Sequence, residues 1–478
     1  MTVLSTKSGH TYGCEKMSEN TFLKGKILPP LIKFALPLML SQLLQALYGA
    51  VDLIVVGQYS TTAHFSAVAT GSQLMQGITG IIIGLTTGVT VLIGQAMGAG
   101  DKKRAADISA GMTKLLIAVS AIFFAVLMIF ATQALELLKI PDEAKGPGTE
   151  YVRICTAGIV FISAYNAISG LFRGVGNSKM PLIFILIACI VNIIGDLILV
   201  AGFKMGAAGA AIATVAAQAV SVVFSVIYIR KGGLPFSITK SSFKARGQVI
   251  RILGMGVPIA LQDFLTRVSF LILTAILNSL GLIASASIGI SEKLFLFLSI
   301  IPISFMSALS AFVAQNIGAN QPERAFRSLK LSVGISFVFG ILTFCATFFF
   351  PEFLASLFEK SPEVISAAAR YQRGCAAEHI FISIYFCLLG YFNGLGKTNF
   401  VMIEGIVTSF AVRIPLSYIL SRGASPDLLR IGLAVPASAV VCFVMCLAYL
   451  LYLIKSGKAG IGKKALKAMA SHKTEVSL

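Results

Sequence analysis

An acidic residue lies inside a membrane-length apolar stretch near the start of the chain. The stretch reads LIKFALPLMLSQLLQALYGAVDLIVVG from Leu31 to Gly57 and contains Asp52. Because a helix needs about 20 apolar residues to cross a bilayer core of about 30 Å, Asp52 is expected within the membrane. A carboxylate in that position is costly unless it faces a water-filled cavity or binds a proton or another cation. Asp52 is therefore a candidate cation-binding residue.

A second polar pair lies in the apolar segment VNIIGDLIL. Asn192 and Asp196 are four residues apart, so their side chains share one face of a helix. A carboxylate beside a carboxamide offers oxygen ligands to a small cation and a hydrogen-bond partner to a protonated acid. The alternative is a polar pair that only joins two helices by hydrogen bonds.

The composition is that of a polytopic membrane protein. Of 478 residues, 56% are hydrophobic and 12% are charged, and the mean hydropathy is +0.87, whereas a soluble domain is typically about 45–50% apolar. The net charge of +19 could suit nucleic acid. The basic residues lie between apolar runs and not on one face of a soluble domain, so we expect no nucleic-acid partner. The eight cysteines form no CxxC pair, which argues against a disulfide framework or a zinc site.

Twelve apolar runs have spanning length, which predicts an all-α polytopic membrane protein. With a cytoplasmic N-terminus, 26 of the 39 Lys and Arg fall in the inside segments, in agreement with the positive-inside rule. Both termini are then cytoplasmic, and the polar segment 1–30 is expected to be a tail without a cleaved signal peptide. The runs lie near residues 31–57, 66–98, 113–135, 151–172, 180–202, 207–229, 252–277, 287–315, 331–350, 374–392, 399–420 and 431–454.

The longest inside connection divides the spans into two groups of six. It runs from Arg230 to Arg251 and has no acidic residue, a composition that suits contact with anionic lipid headgroups. The predicted organisation is a cytoplasmic tail, 1–30; an N-lobe, 31–229; a basic linker, 230–251; a C-lobe, 252–454; and a basic tail, 455–478.

The two halves of the chain are an internal repeat. QAMGAGDKKRA from Gln95 to Ala105 matches QNIGANQPERA from Gln315 to Ala325. The residue numbers of the two segments differ by 220, and we call this difference the repeat offset. Since each half has six spans, both have the same orientation and are related by an axis along the membrane normal. We expect two pseudo-symmetric six-helix lobes around a central cleft, the architecture of alternating access, although some channels and enzymes are duplicated too. Tyr151-Val-Arg153 and Tyr371-Gln-Arg373 keep the repeat offset, while Pro37 and Pro258 are separated by one position more.

Further polar residues in or near the spans are candidates for lining a substrate cleft. Asp263 and Arg267 are four residues apart on one helix face and either pair with each other or line the cleft. Arg413 either neutralises Glu404 or lines the cleft. Glu378 and Glu404 are expected near helix ends, within reach of water. The other cleft candidates, which could instead join helices by hydrogen bonds, are Gln42, Gln45, Tyr48 and Gln262.

Several motifs together resemble those of the multidrug and toxic compound extrusion (MATE) family. They are ALPLMLSQLLQALYGAVDLIVVGQ in the first span, QAMGAG and QNIGAN after the second and eighth, and LFRGVGN and YFNGLGK after the fourth and tenth. The resemblance covers about Leu31 to Lys455. It implies two six-helix lobes that export organic cations and other drugs in exchange for H⁺ or Na⁺.

Within that family, the chain resembles the DinF-like branch. This branch has an acid in the first helix, Asn-x-x-x-Asp in the fifth and a Thr early in the sixth. Asp52, Asn192, Asp196 and Thr214 occupy those positions, so the resemblance implies a cation site made by these four residues. The NorM branch instead uses acids on the seventh and tenth helices, where this chain has Asp263 and Glu378.

These features predict a secondary antiporter that is not an enzyme. The expected partners are small-molecule drugs or organic cations and membrane lipids. No cofactor is expected beyond the coupling ion, H⁺ or Na⁺, with Na⁺ held at Asp52, Asn192 and Asp196 if it is the ion used. The absence of a GxxxxGK[ST] motif argues against a primary pump. We expect a monomer in the bacterial cytoplasmic (inner) membrane.

Three alternatives predict different features. A flippase for lipid-linked saccharides would need a cleft lined with many Arg and Lys, whereas the sequence places only Arg267 and Arg413 deep within spans. A membrane acyltransferase would need a His paired with an acid, and His379 has no such partner in register. A channel would pass an ion current without exchange.

Overall fold

The protein is a bundle of α-helices. The computed structural model describes residues 22–422 and 427–457, and those residues contain no β-strand. The first half consists of α1 (Leu28–Tyr59), α2 (Thr62–Gly98), α3 (Lys102–Leu137), α4 (Asp142–Ala157), α5 (Ile159–Val175), α6 (Lys179–Asp196) and α7 (Gly206–Tyr228). The second half consists of α8 (Gln248–Asn278), α9 (Leu282–Leu298), α10 (Ile300–Gly318), α11 (Pro322–Phe349), α12 (Pro351–Ser356), α13 (Pro362–Cys375), α14 (Glu378–Gly394), α15 (Thr398–Ile406), α16 (Ile414–Ser421), α17 (Leu428–Gly432) and α18 (Ala434–Lys455).

The membrane-length helices agree with the predicted spans. Among the described residues, ten helices are long and apolar enough to cross a membrane, and the number is twelve if each of two sharply bent pairs is one span. The pairs are α4 with α5, bent by 52°, and α13 with α14, bent by 49°. The prediction of an all-α protein with twelve spans is therefore confirmed.

Several spans are interrupted where the sequence predicts single runs. Gly158 separates α4 from α5, and Ser299 separates α9 from α10. Two other spans contain π-helical segments, Leu197–Gly202 after α6 and Val407–Arg413 between α15 and α16. Such segments are frequent at functional sites. Hydropathy does not reveal these breaks, because it averages over a whole run and carries no information on where the helical geometry changes within that run.

The internal repeat is visible in the helix limits. α2 covers Thr62–Gly98, and α9 with α10 covers Leu282–Gly318, which are the same limits displaced by the repeat offset. Buried apolar side chains form one large core in the first half, which includes Ile82 and Leu171. A second core in the other half includes Leu309 and Tyr391. Each half therefore has a large apolar core, and the core of the first half also includes Ile252 at the start of α8.

The lobes contact each other at the end of the bundle where α1 begins, which we call the inner end. α2 and α8 approach closely there because glycines lie at the contact. A Cβ atom at Gly84 would lie 2.3 Å from the Cα of Ala260, and one at Gly88 would lie 2.7 Å from the backbone nitrogen of Gly256. On the other side of the pseudo-symmetry axis, α1 shares an apolar cluster with Phe312 of α10.

The lobes separate around a central cleft toward the opposite end, which we call the outer end. The cross-lobe contacts reach about the middle of the helices, where Gln42 Nε2 donates to Ser304 Oγ at 3.1 Å and Gly80 faces Asp263 and Arg267. Farther out, α9 packs on α8, α12 and α13 of its own lobe. The cleft is thus closed at the inner end and opens toward the outer end.

The basic linker lies at the inner end. It begins with a π-helical turn, Ile229–Gly233, and contains a 3-10 turn, Ser242–Lys244. Lys114 Nζ on α3 donates to the backbone carbonyl of Phe243, which ties the linker to the N-lobe. α8 already begins at Gln248, four residues before the predicted start of the C-lobe. Of the two predicted tails, 1–30 and 455–478, residues 1–21 and 458–478 lie outside the described part of the chain.

Candidate functional site

The four predicted cation-site residues meet in the outer half of the N-lobe. Asp52 lies on α1, Asn192 and Asp196 on α6, and Thr214 on α7. The Asp52 carboxylate lies beside Asn192 and Asp196. Thr214 Oγ1 donates to Asp52 Oδ2 at 3.4 Å. Three helices therefore bring these side chains together, α1 from the start of the lobe and the consecutive pair α6 and α7.

The resulting hollow is buried and polar. Asn192 and Asp196 are 0% exposed and Asp52 is 5% exposed, while Thr214 remains partly exposed. Within the described residues, Asp52 Oδ1, both carboxylate oxygens of Asp196 and both amide atoms of Asn192 find no protein partner with hydrogen-bond geometry. Buried polar atoms are normally paired. This concentration of unpaired oxygen atoms fits a site for a small cation or a proton.

The charges at this site lead to the same conclusion. Two neighbouring carboxylates in a low-dielectric interior repel each other and lose hydration, so both stay ionised only if positive charge compensates them. Carboxylate, carboxamide and hydroxyl oxygens are hard ligands of the kind that bind small cations. The residues present thus fit either Na⁺ bound by Asp52, Asn192, Asp196 and Thr214 or a proton held between the two acids.

The local structure around α6 and α7 explains how Asp196 and Thr214 come together. A Cβ atom at Gly195 would lie 2.9 Å from the Cβ of Ala213, so these two small residues let α6 and α7 pack closely. Asp196 is also the last residue of α6 before the π-helical segment Leu197–Gly202. The change in helical pitch therefore begins directly at the acid.

Two tyrosines and a cysteine border the same hollow. Tyr48, predicted in the substrate cleft, has a buried hydroxyl near Asp52 and Thr214. Tyr151 and Cys155 on α4 are 3% and 1% exposed and lie within electrostatic reach of Asp52. The sequence analysis did not place Tyr151 or Cys155 at the site. The sequence feature that could have identified them is a Tyr-x-x-x-Cys pattern, which recurs at the repeat offset in the C-lobe.

The four polar positions of the hollow have no polar counterparts at the matching positions of the C-lobe. With the repeat offset, which is one position longer for the first helix, the four positions correspond to apolar residues. These are Leu273, Val412, Leu416 and Ala434. The two lobes therefore share the order of their spans, whereas the four positions of the candidate cation site are polar in the N-lobe and apolar in the C-lobe.

An ion pair lies where the cleft narrows. Arg267 Nε and Asp263 Oδ2 are 3.0 Å apart, and their side chains are 50% and 42% exposed. A Cβ atom at Gly80 of the opposite lobe would lie 2.9 Å from that Asp263 oxygen. The predicted pairing of these two residues is confirmed, and the pair stands between the lobes with charged atoms accessible.

The glutamines predicted in the cleft occupy different surroundings. Gln42 bridges the lobes through Ser304, and Gln45 is exposed on α1. Gln262 lies against Gly405, since a Cβ atom at Gly405 would be 2.5 Å from Gln262 Cγ. Gln262 thus packs within its own lobe, whereas Gln42 and Gln45 lie on the helix that borders the cleft.

Arg413 lies inside the C-lobe and not on a cleft wall. It is 6% exposed. Its Nε donates to Ser438 Oγ and its Nη1 donates to Ser269 Oγ, both at 3.2 Å. The guanidinium also stacks 4.4 Å from the centre of the Phe270 ring. The arginine therefore joins three helices of the lobe.

Two acids accompany Arg413 in the C-lobe. Glu378 and Glu404 are each 2% exposed, which corrects the expectation that water reaches them near helix ends. Both lie within electrostatic reach of Arg413, and Glu404 Oε1 accepts a hydrogen bond from Thr408 Oγ1 at 3.2 Å. Cys442 and Cys446 lie beside Glu404, and their thiol sulfur atoms and one Glu404 carboxylate oxygen lie within 4.8 Å of one another. Arg413 thus compensates buried negative charge.

The family of the chain follows from its repeat and from this architecture. The MatE family model matches residues 37–198 and 258–419, two segments that together cover more than half of the chain. The chain belongs to the MatE family. The two matched segments begin at Pro37 and Pro258. These are the two prolines that the internal repeat already pairs with each other.

Sequence relatives and a solved structure agree with this assignment. This chain is 26% identical over 437 residues to the probable multidrug resistance protein YpnP of Bacillus subtilis, covering 91% of this chain and 97% of that protein. It is 26% identical over 411 residues to the probable multidrug resistance protein NorM of Thermotoga maritima, covering 82% and 85%. A multidrug resistance MATE family transporter of the MOP superfamily, solved in an outward-facing conformation, superposes with a TM-score of 0.83 at 20% identity and covers 91% of this chain and 98% of that chain. The fold is therefore that of MATE transporters.

Proposed function

We propose that this MatE protein is a secondary antiporter that exports organic cations and other drugs in exchange for H⁺ or Na⁺ by alternating access. The observation that carries the proposal is the convergence of Asp52, Asn192, Asp196 and Thr214 in one buried hollow. Relatives named multidrug resistance proteins support drug export. The same four residues support assignment to the DinF-like branch.

Helix α1 is the element through which cation binding acts on the cleft. Its outer half carries Asp52, and its middle carries Gln42, which hydrogen-bonds across the lobes to Ser304. Pro37 lies inside the same helix and removes one backbone hydrogen bond, so α1 bends more easily there. Neutralising Asp52 with a proton or Na⁺ lets α1 settle against α6 and α7, and this movement changes the cleft wall.

The ion gradient supplies enough free energy for accumulation. Moving one charge through 100 mV releases about 2.3 kcal/mol, which corresponds to several tens-fold accumulation of substrate per cation. The proposed order is that the cation binds from outside, the drug leaves through the outer opening, and the lobes then reorient. We propose that the inner end and both termini are on the cytoplasmic side, an orientation that the positive-inside pattern supports.

The accessible charge in the cleft supports organic cations as the substrate class. Asp263 is paired with Arg267 where the cleft narrows, but its side chain stays 42% exposed, so an organic cation can approach the carboxylate and replace Arg267 as its partner. A flippase for lipid-linked saccharides gains no support, because Arg413 is buried and already paired, and Arg267 is neutralised by Asp263. We propose that the protein acts as a monomer in the bacterial inner membrane, in contact with lipid and small-molecule drugs.

The test is ethidium movement in proteoliposomes under separately imposed pH and Na⁺ gradients. We expect one of the two gradients to drive ethidium counter to the ion, and we expect saturation with ethidium concentration. Ethidium movement that ignores both gradients would refute antiport. An ion current without saturable exchange would identify a channel instead.

A further inference from the structure

The repeated segments QAMG and QNIG meet at the inner end, where α2 and α10 finish. Gln95 Nε2 on α2 donates to the backbone carbonyl of Gly394 in the C-lobe at 3.4 Å. Gln315 Nε2 on α10 donates to the backbone carbonyl of Gly174 in the N-lobe at 2.8 Å. The two donors are separated by the repeat offset, and so are the two acceptors. The pseudo-symmetry axis therefore relates two reciprocal hydrogen bonds that cross between the lobes.

The glycines of the same segments allow the helix ends to touch. A Cβ atom at Gly98 would lie 1.9 Å from the backbone carbonyl oxygen of Gln315. A Cβ atom at Gly318 would lie 2.0 Å from the backbone carbonyl oxygen of Gln95. Because these neighbours are backbone atoms, a side chain at either position cannot be accommodated by rotating a rotamer. Only glycine permits this contact.

A second pair of glycines lets each glutamine amide reach its acceptor. Gly176 and Gly396, again related by the repeat offset, have φ angles of +91° and +76°, which are left-handed conformations that favour glycine. A Cβ atom at Gly176 would lie 3.0 Å from Gln315 Nε2. The turns that follow α5 and α14 are therefore shaped around the glutamines of the opposite lobe.

We propose that Gln95, Gln315, Gly98 and Gly318 form the inner gate of the transport cycle, a site that we call the glutamine clasp. An inward-open state requires the inner ends of the lobes to separate, and both hydrogen bonds and both glycine contacts lie between those ends. The bonds join neutral amides and carbonyls, and water can replace them on opening, so the clasp closes the gate without making the closed state irreversible.

The two halves of the clasp differ in strength. Gln315 is 1% exposed and its bond is 2.8 Å long, whereas Gln95 is partly exposed and its bond is 3.4 Å long. Shorter and better-buried hydrogen bonds are the stronger ones. Removing the Gln315 amide therefore opens the gate more than removing the Gln95 amide.

The experiment measures the distance between the inner ends in the full-length protein in nanodiscs. Spin labels at Lys103 and Glu323, which are exposed and lie just beyond the clasp in each lobe, report the distance by electron double resonance after the native cysteines are replaced. We expect a short-distance population in the parent protein. Each single glutamine-to-alanine change shifts the ratio of long to short distances by about fivefold, the effect of losing one net hydrogen bond, and Gln315→Ala shifts it more than Gln95→Ala.

Matched controls separate the clasp from general damage. Gly98→Ala should remove most of the short-distance population, whereas Gly77→Ala, on the same helix with nothing within 4 Å of its new Cβ, should leave the distribution unchanged. If Gly98→Ala does not fold, the double variant Gln95→Ala/Gln315→Ala carries the test. The absence of a short-distance population in the parent, or an unchanged distribution in that double variant, would overturn the proposal.

The clasp rests on the proposed function only in that it assigns the opening to a transport cycle. The distance measurement uses neither drug nor ion gradient. Suppose that the glutamine variants shift the spin-label distances as expected but ethidium movement ignores both gradients. Antiport would then be rejected, whereas the proposed gate would not. Unchanged distances with normal antiport would reject the gate alone.

Discussion

Thr214 donates a hydrogen bond of 3.4 Å to Asp52 and so links α7 to α1 at the centre of the N-lobe hollow. The corresponding C-lobe positions are Ala434 and Leu273, which can form no such bond. The repeat thus preserves the helix arrangement while only one copy carries the polar site. Substitutions at the site should consequently affect ion coupling before they affect the fold.

Replacing Asp52 with Asn should abolish gradient-driven ethidium export while the protein still inserts and elutes as a monodisperse species. The amide keeps the size of the side chain but removes the negative charge that a proton or Na⁺ compensates. The measurement is the export rate in proteoliposomes at equal protein content. Asp142→Asn, at a side chain that is 93% exposed on α4, is the control. Export at the parental rate in Asp52→Asn would reject the assigned site.

Replacing Asp196 with Asn should reduce export similarly, and the double variant Asp52→Asn/Asp196→Asn should be no worse than either single variant. The two carboxylates lie side by side and act on one ion, so their effects are not additive. A double-mutant cycle on the affinity of the purified protein for the coupling ion checks this expectation. Strictly multiplicative losses would show that the two acids serve separate steps.

Replacing Thr214 with Ala should weaken binding of the coupling ion by about fivefold, the effect of losing one hydrogen bond or one oxygen ligand of modest strength. Thr214→Ser keeps the hydroxyl and should restore near-parental behaviour. The half-saturating concentration of the coupling ion is the quantity to compare. Equal losses in Thr214→Ala and Thr214→Ser would mean that the methyl group, through packing, matters and the hydroxyl does not.

Replacing Asp263 with Asn should weaken binding of cationic dyes severalfold without lowering thermal stability. An exposed ion pair of this spacing contributes only about 0.3–0.5 kcal/mol to stability. A cationic dye can therefore replace Arg267 as the partner of the Asp263 carboxylate at little cost in free energy. Dye titration and thermal melting of the same preparation distinguish the two effects. A clear fall in Tm with unchanged dye affinity would assign the Asp263–Arg267 pair a structural role.

Replacing Arg413 with Ala should destabilise the C-lobe by about 3–5 kcal/mol, because removal of one partner leaves buried charge uncompensated. The charges concerned are those of Glu378 and Glu404, both 2% exposed. The double variant Arg413→Ala/Glu404→Gln should recover part of the loss. Thermal melting of purified protein measures both effects, and a double variant less stable than Arg413→Ala would contradict the charge argument.

The amino-acid sequence determined the features that depend on local pattern. Runs of apolar residues define the spans, a constant offset between matching segments defines the repeat, and an acid within an apolar run is costly wherever the helix is placed. For that reason Asp52, Asn192 and Asp196 could be selected before any helix was positioned. Their cation-binding role, like that of Thr214, stays a prediction until export and ion binding are measured.

The tertiary structure decided which helix faces meet. Tyr48 and Tyr151 border the hollow, Arg413 and Glu404 are buried in the C-lobe, and Gln315 reaches across to Gly174. None of this follows from hydropathy, because rotation and tilt of a helix in a membrane bundle are set by close contacts of small residues, which have no fixed period in the sequence. The glutamine clasp shows the difference, since its two segments were recognisable as a repeat but their contact exists only once the lobes are packed.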